Sequence, residues 1–178
     1  MESGSAKWMA PSVVNISSSE SADWFVENIA SGRRVSFRHY EKLLRRILFA
    51  TQKGAECGAS RGYATVDGEG NIYACHRQAH SLIGHIAYGI DEELRWKWCE
   101  NRIYARGGCL DCWARYVCGG GCRYNSLEQG KDISIPSKID CEIRRIQVKN
   151  CLWIAAKLPH LKLLDLFSDS KDKNSTAR

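Results

Sequence analysis

Nine cysteines give this sequence of 178 residues its most direct chemical signal, because thiolates are strong ligands for soft metals. Four of them fall within fourteen residues, in the spacing Cys109-x2-Cys112-x5-Cys118-x3-Cys122. Thiolates that a loop brings so close together repel one another unless a cation holds them. The run therefore predicts a metal site. The remaining cysteines are Cys57, Cys75, Cys99, Cys141 and Cys151.

The spacing of this run favours an iron-sulfur cluster over zinc. Zinc ribbons usually separate their two cysteine pairs by about a dozen residues or more, whereas five residues separate Cys112 from Cys118. Glycines beside the ligands let backbone amides approach and hydrogen-bond cluster sulfurs, and residues 119–121 are all glycine. The alternative is a zinc-binding interaction module that uses the four cysteines of the run, with basic helices that touch nucleic acid.

The wider cysteine pattern resembles that of SPASM domains, which follow the barrel of radical SAM peptide-modifying enzymes. Their pattern is C-x9-15-G-x4-C, a gap, C-x2-C-x5-C-x3-C, a gap, and a last C. This chain has Cys57, twelve residues, Gly70, four residues and Cys75, then the tight run, then Cys141. The resemblance covers about residues 40–155 and includes the segments CGASRGYATVDGEGNIYACHR and CLDCWARYVCGGGC.

The resemblance implies two [4Fe-4S] clusters with ligands that cross between the two halves of the pattern. It assigns three irons of the first cluster to Cys57, Cys75 and Cys122. It assigns the second cluster to Cys109, Cys112, Cys118 and Cys141. A crossed arrangement also occurs in two-cluster ferredoxins, where the fourth cysteine of a tight run ligates the other cluster. The fourth iron of the first cluster is left to substrate, Cys99, an acidic side chain or water.

The chain lacks the CxxxCxxC loop that holds the S-adenosylmethionine-cleaving cluster of a radical SAM enzyme. Its only Cys-x3-Cys is Cys118 to Cys122, and the position after two further residues is Asn125. A barrel also needs about 200 residues or more. We therefore predict no complete catalytic site in this chain, and S-adenosylmethionine would bind only through a radical SAM domain supplied in cis or in trans.

Two functions follow from the resemblance. As the C-terminal part of a peptide maturase, the domain would help to bind a precursor peptide or protein substrate and to transfer electrons. As a stand-alone relative, it would be an electron-transfer or peptide-binding partner. An independent iron-sulfur electron-transfer protein is a further alternative.

Several residues outside the pattern have plainer interpretations. Cys99 and Cys151 are predicted to be small buried hydrophobes. His76 directly follows Cys75 and either donates a hydrogen bond to a cluster sulfur or packs structurally. A core role is favoured over a peptide groove for the aromatic group Trp96, Trp98, Tyr104, Trp113 and Tyr116.

The elements that would position the cysteines can be predicted from periodicity and turn signals. Apolar residues recur at helical spacing over 23–30 and 37–50. Residues 67–70, with the sequence DGEG, favour a turn in a β-hairpin over 61–74.

Two further helices are predicted by their capping residues. Asp91 caps a helix that runs from Glu92 to about Ile103. Ser137 and Asp140 form a cap pair after Pro136 for the last long helix, which Pro159 ends or kinks. Residues 107–121 are predicted to be an irregular loop that supplies ligands.

These patterns predict an α+β fold, a small β-hairpin plus helices organised around two iron-sulfur clusters, without a radical SAM barrel. The domain prediction is a disordered segment or linker over 1–20, amphipathic helices over 21–55, a SPASM-like cluster-binding domain over 56–158 and a C-terminal tail over 159–178.

Charge and composition limit the partners. The net charge of +6 is scattered along the chain rather than concentrated, which disfavours nucleic acid as a partner. No apolar run approaches the roughly 20 residues of a membrane span, and no secretory signal or lipidation motif is visible. We therefore expect a cytoplasmic protein without a membrane partner.

Overall fold

A computed structural model of the chain describes residues 11–33, 35–77, 80–129 and 132–168. The helices are α1 (Pro11–Ala30), α2 (Arg38–Leu48), α3 (Glu92–Cys99), α4 (Arg115–Cys118), α5 (Arg123–Glu128), α6 (Lys138–Lys157) and α7 (His160–Ser168). The strands are β1 (Thr65–Val66), β2 (Asn71–Tyr73), β3 (Leu82–His85) and β4 (Gly89–Ile90). The prediction of an α+β fold is confirmed. Within the described ranges, none of the helices combines the length and apolar character needed to cross a bilayer.

The chain divides into two compact units. One consists of residues 1–51 and 145–178 and is called the helical unit here. The other consists of residues 52–144 and is called the cysteine unit, because it contains eight of the nine cysteines.

The helical unit has an apolar interior. Phe25 on α1 and Leu44 on α2 are fully buried, as is Ile154 on α6. The Phe25 ring meets the Tyr40 ring edge to face at 5.6 Å, and the side-chain amide of Asn150 donates to the Tyr40 hydroxyl at 3.3 Å. We expect burial of these side chains to contribute most of the stability of the helical unit.

The helices predicted over 23–30 and 37–50 are present, with shifted ends. Helix α1 begins at Pro11, inside the segment 1–20 that the sequence indicated as disordered or linker, and residues 1–10 lie outside the described residues. Helix α6 ends at Lys157, two residues before Pro159, as predicted. Helix α7 follows within the predicted tail, of which residues 169–178 lie outside the described part of the chain.

The cysteine unit contains a four-stranded antiparallel sheet in the order β1-β2-β3-β4. The predicted hairpin is its first half, with Thr65 opposite Tyr73 and Val66 opposite Ile72. The second half, β3 and β4, was missed by the sequence analysis because both strands are very short and β3 contains a glycine. A Cβ on Gly84 would collide with the Gly89 backbone, so glycine is required where these two strands approach.

Asp67 organises the turn between β1 and β2. Its carboxylate accepts from the backbone amides of Glu69 at 3.0 Å and Asn71 at 2.9 Å, and from the Tyr73 hydroxyl at 2.9 Å. The side-chain hydrogen bond from Asn71 is the main reason that the pKa of Asp67 falls to about 2. The turn is therefore held by an ionised carboxylate.

The predicted helix caps are present, but α3 is shorter than expected. The Asp91 side chain accepts from the Leu94 amide at 3.0 Å, and the Ser137 hydroxyl accepts from the Asp140 amide at 3.2 Å. Helix α3 ends at Cys99, and the backbone continues into a short 3-10 turn over Ile103–Ala105. The predicted loop over 107–121 is mostly irregular, with α4 as its one helical turn.

Candidate metal centre

Three of the predicted ligands lie outside the helices and strands of the cysteine unit. These are Cys57, Cys75 and Cys122, called the three-cysteine group. Cys75 follows β2 and belongs to an apolar core with Ala59, Ala74, Ile83 and Trp98, against which Cys57 packs. Cys122 is the residue that precedes α5. The core beside the hairpin thus holds Cys57 and Cys75 near each other.

Tyr63 is electrostatically linked to the three-cysteine group. Its ring would lie 3.6 Å from a Cβ added at Gly58, and its hydroxyl lies 3.2 Å from His76 Nδ1. Burial raises the pKa of Tyr63 to about 12, and the thiolates of Cys75, Cys57 and Cys122 add to the rise. The phenol therefore stays protonated at neutral pH and can donate toward the Cys75 sulfur.

The remaining predicted ligands form the four-cysteine group, which consists of Cys109, Cys112, Cys118 and Cys141. Successive turns connect the first three, since the Cys112 amide donates to the Cys109 carbonyl at 3.1 Å and the Cys118 amide to the Ala114 carbonyl at 2.8 Å. Cys141 lies in the first turn of α6. Cys109 is buried, whereas the other three are half-buried.

Electrostatic coupling links the members of the four-cysteine group. Burial raises the pKa of the Cys109 thiol, the Arg106 guanidinium lowers it, and the neighbouring Cys141, Cys118 and Cys112 raise it again. Cys118 and Cys122 are assigned to different groups, although only three residues lie between them in the sequence.

The three glycines between Cys118 and Cys122 form a tight turn, which allows the two cysteines to belong to different groups. Gly119, Gly120 and Gly121 all have left-handed backbone, with φ values of 73°, 91° and 70°. The Gly119 carbonyl accepts from the Glu56 amide at 2.7 Å, and a Cβ on Gly119 would lie 2.8 Å from that nitrogen. Only glycine combines this conformation with this close approach.

The donor set of both groups fits iron-sulfur ligation. Every predicted ligand is a thiol and all nine cysteines are free of disulfide bonds. Thiolates are the ordinary ligands of iron-sulfur clusters, whereas carboxylates and imidazoles suit harder ions. Among the described residues, however, no group of three or more Cys, His, Asp or Glu side chains lies in an arrangement that could hold a metal ion.

Cysteines and aromatics outside the two groups only partly follow the sequence-based expectations. Cys99 donates to the Ser60 carbonyl at 3.3 Å in a buried position, and burial raises the pKa of Cys151 to about 12. Both fit the interpretation as small hydrophobes. The core role predicted for the aromatic group is wrong for Trp96, Tyr104 and Trp113, which are each more than half exposed; only Trp98 of that group is buried.

Two arginines of the cysteine unit, Arg106 and Arg123, are buried, which the sequence did not predict. Arg106 follows the 3-10 turn, and Arg123 follows Cys122 at the start of α5. The Arg123 Nη1 donates to the Cys57 carbonyl at 3.4 Å, so this arginine borders the three-cysteine group. No sequence signal separated these two arginines from the many exposed ones.

Comparison with known proteins identifies a related fold. No protein-family model and no curated protein matches the chain. The solved structure of polyhistidine-tagged anSMEcpe with bound AdoMet is 18% identical, with a TM-score of 0.61 over 94% of this chain and 48% of that chain. The solved structure of native anSMEcpe with bound AdoMet is 19% identical, with a TM-score of 0.59 over 93% of this chain and 45% of that chain.

The protein anSMEcpe is an anaerobic sulfatase-maturating enzyme of the radical SAM class. The chain spans about half the length of these solved structures. The likeness shows a fold that this chain shares with part of anSMEcpe.

Proposed function

We propose that this chain is a SPASM-type domain that binds two [4Fe-4S] clusters and serves radical-based peptide maturation, as the C-terminal part or a stand-alone relative of a radical SAM enzyme. The observation that carries the proposal is the division of the seven patterned cysteines into two groups. Three of them raise the pKa of Tyr63, and the other three members of the four-cysteine group raise the pKa of Cys109. The related fold of a radical SAM enzyme supports it independently.

The two groups differ in what they would offer a cluster. The four-cysteine group would ligate one cluster fully through Cys109, Cys112, Cys118 and Cys141. The three-cysteine group would hold three irons of the other, through Cys57, Cys75 and Cys122. When bound, the clusters would supply one-electron transfer. The residues around them bury Cys109, donate a hydrogen bond from Tyr63 toward Cys75 and hold the loop at Gly119 in its tight turn.

The proposed partners follow from this role. A precursor peptide or protein would be the substrate, and exposed aromatic side chains such as Trp113, next to the ligand Cys112, offer it apolar contact. S-adenosylmethionine would be bound by a radical SAM domain, in cis or in trans. Free thiols in this number also suit a reducing compartment, so the proposed location is the cytoplasm.

The test is metal analysis of protein purified without oxygen, together with its optical spectrum. We expect about eight irons and eight acid-labile sulfides per chain, with the broad absorption near 400 nm typical of such clusters. One or two zinc ions without sulfide would contradict the proposal and favour the zinc module.

A pair of cysteine variants makes the test specific to the ligands. Cys118→Ala removes a predicted ligand of the four-cysteine group and should lower iron and sulfide by about half. Cys151→Ala removes a buried thiol of the helical unit and should leave both contents unchanged. Equal iron contents in the two variants would contradict the ligand assignment.

The enzymatic context is tested separately in the gene. A CxxxCxxC segment in the same reading frame upstream would support the role as the C-terminal part of a maturase. Its absence from that frame would favour the stand-alone relative.

A further inference from the structure

Two positive charges are buried side by side in the cysteine unit. Arg106 and Arg123 are each 3% exposed. Within the described ranges, the ion pairs involve other arginines and lysines, and neither of these two guanidinium groups contacts a carboxylate. Burying a charge without a partner of opposite sign is costly, so the fold must gain a compensating negative charge.

A neutral side chain, Asn101, connects the two arginines. Its Oδ1 accepts from Arg106 Nη1 at 2.7 Å and from Arg123 Nε at 3.3 Å, and its backbone carbonyl accepts from Arg123 Nη2. An aspartate here could make the same bonds and neutralise one charge. Asparagine satisfies the donors but leaves the pair of arginines with its full positive charge.

Other contacts of the guanidinium groups are also neutral. Arg106 donates to the Ile133 carbonyl and, at 3.1 Å, to the Ser126 hydroxyl. Asp132 senses the charge of Arg106, but its carboxylate is exposed and accepts from the Ser134 amide. The mutual repulsion of the pair is visible in the pKa of Arg106, which burial lowers most and Arg123 lowers further.

The groups around the pair that can carry negative charge are the patterned cysteines. The Arg106 Nε hydrogen is buried and has no hydrogen-bond partner, and the thiols of Cys109 and Cys141 act on this guanidinium. The Arg106 carbonyl accepts from the Cys109 amide at 3.1 Å. On the other side, Arg123 directly follows Cys122 and donates to the Cys57 carbonyl. The pair therefore borders both cysteine groups.

We propose that Arg106 and Arg123, joined through Asn101, are the buried counter-charge of the iron-sulfur clusters and raise their reduction potentials. The inference rests on the proposed function. A cluster with thiolate ligands is anionic and becomes more negative when it accepts an electron. A fixed positive charge nearby stabilises the reduced form more than the oxidised form.

The test is a reduction titration of the cluster-loaded full chain, followed by electron paramagnetic resonance. Arg106→Gln removes one charge and should shift the midpoint potential of the four-cysteine cluster to a more negative value. Arg106→Lys keeps the charge and should remain near the wild type. Arg102→Gln removes an exposed arginine next to Asn101 and should leave both midpoints unchanged.

Asn101→Asp is the most informative variant, since it retains both arginines and the acceptor atoms. We expect a more negative midpoint in the loaded protein with iron and sulfide contents at the wild-type level, because the new carboxylate cancels part of the positive charge beside the clusters and keeps the hydrogen bonds. A shift in midpoint without loss of clusters distinguishes counter-charge from packing. If Arg106→Gln fails to fold, Asn101→Asp still tests the counter-charge role.

The outcomes separate this inference from the proposed function. If the wild type contains no iron and sulfide, the proposed function is wrong and the counter-charge role falls with it. If clusters are present but Asn101→Asp leaves both midpoints unchanged, the counter-charge role is wrong while the proposed function stands.

Discussion

The two compact units bury different kinds of side chain. In the helical unit the fully buried residues include Phe25, Leu43, Leu44, Ile154 and Leu163. Most of the buried polar or charged residues that the structure describes lie instead in the cysteine unit, namely Ser60, Ser81, Asn101, Arg106, Arg123, Ser126 and Ser137. Hydrophobic burial can account for the first unit, whereas the second combines a smaller apolar core around Ile83, Trp98 and Ile103 with buried charge. From this difference we expect the cysteine unit to depend on the proposed clusters for its stability.

Removal of the clusters should produce the largest difference in stability between the two units. After oxidation and chelation of iron, we expect the backbone amides of the cysteine unit to exchange with solvent rapidly, while those of α2 and α6 in the helical unit stay protected. Amide hydrogen exchange followed by mass spectrometry measures both units in one sample. Unchanged protection over 52–129 would show that the cysteine unit is stable without clusters.

Leu44→Ala tests the stability of the helical unit. Leu44 is fully buried on α2, and truncation of such a side chain costs about 2–5 kcal/mol of unfolding free energy. Denaturant unfolding measures the loss, and iron content should remain at the wild-type level because no ligand lies in that core. Loss of iron in this variant would mean that the two units are not independent in stability.

Gly119→Ala should give a smaller but more local effect. The added methyl would meet the Glu56 backbone, and the φ of 73° disfavours any residue with a Cβ, so we expect a loss of about 1–3 kcal/mol. Iron should also be retained less well, which iron analysis after gel filtration would measure. Gly107→Ala is the matched control, since nothing lies within 4 Å of its added Cβ. Equal behaviour of the two variants would contradict the role of the tight turn.

The smallest effect is expected at the hairpin turn. Because its pKa is about 2, Asp67 should stay ionised through the range near 3.9 in which an ordinary aspartate titrates. Its stabilisation of the turn is present above that ordinary value and is lost as pH falls through about 2. The Asn71 amide resonance should therefore change only near pH 2 in an NMR titration, and Asp67→Asn should abolish that change. A midpoint near 3.9 in the wild type would contradict the expectation.

The features predicted correctly from the sequence are those determined by contacts between residues that are near neighbours in the chain. The turn at Asp67, the cap at Asp91 and the start of α6 at Ser137 each depend on hydrogen bonds that reach four residues or fewer. Residue type and spacing are sufficient to predict such contacts. The α+β class followed from them.

The missed features depend on distant contacts. Strand β4 has two residues and exists through its pairing with β3, which no periodicity of its own could reveal. Asn101 and Arg123 are 22 residues apart but hydrogen-bonded, and Arg106 joins them only once the loop has folded. Whether an arginine is buried or exposed is decided by such packing, so the sequence could not distinguish these two from the others.

The buried indole of Trp98 provides the cysteine unit with its own optical reporter. This side chain is 5% exposed and shares a core with Cys75, while the other tryptophans whose side chains are described are about half exposed. An iron-sulfur chromophore held by Cys75 would quench Trp98 fluorescence by energy transfer. Loss of the cluster would therefore raise the Trp98 emission and, as the cysteine unit unfolds, shift it to longer wavelength, so that cluster loss could be followed in real time without any added dye.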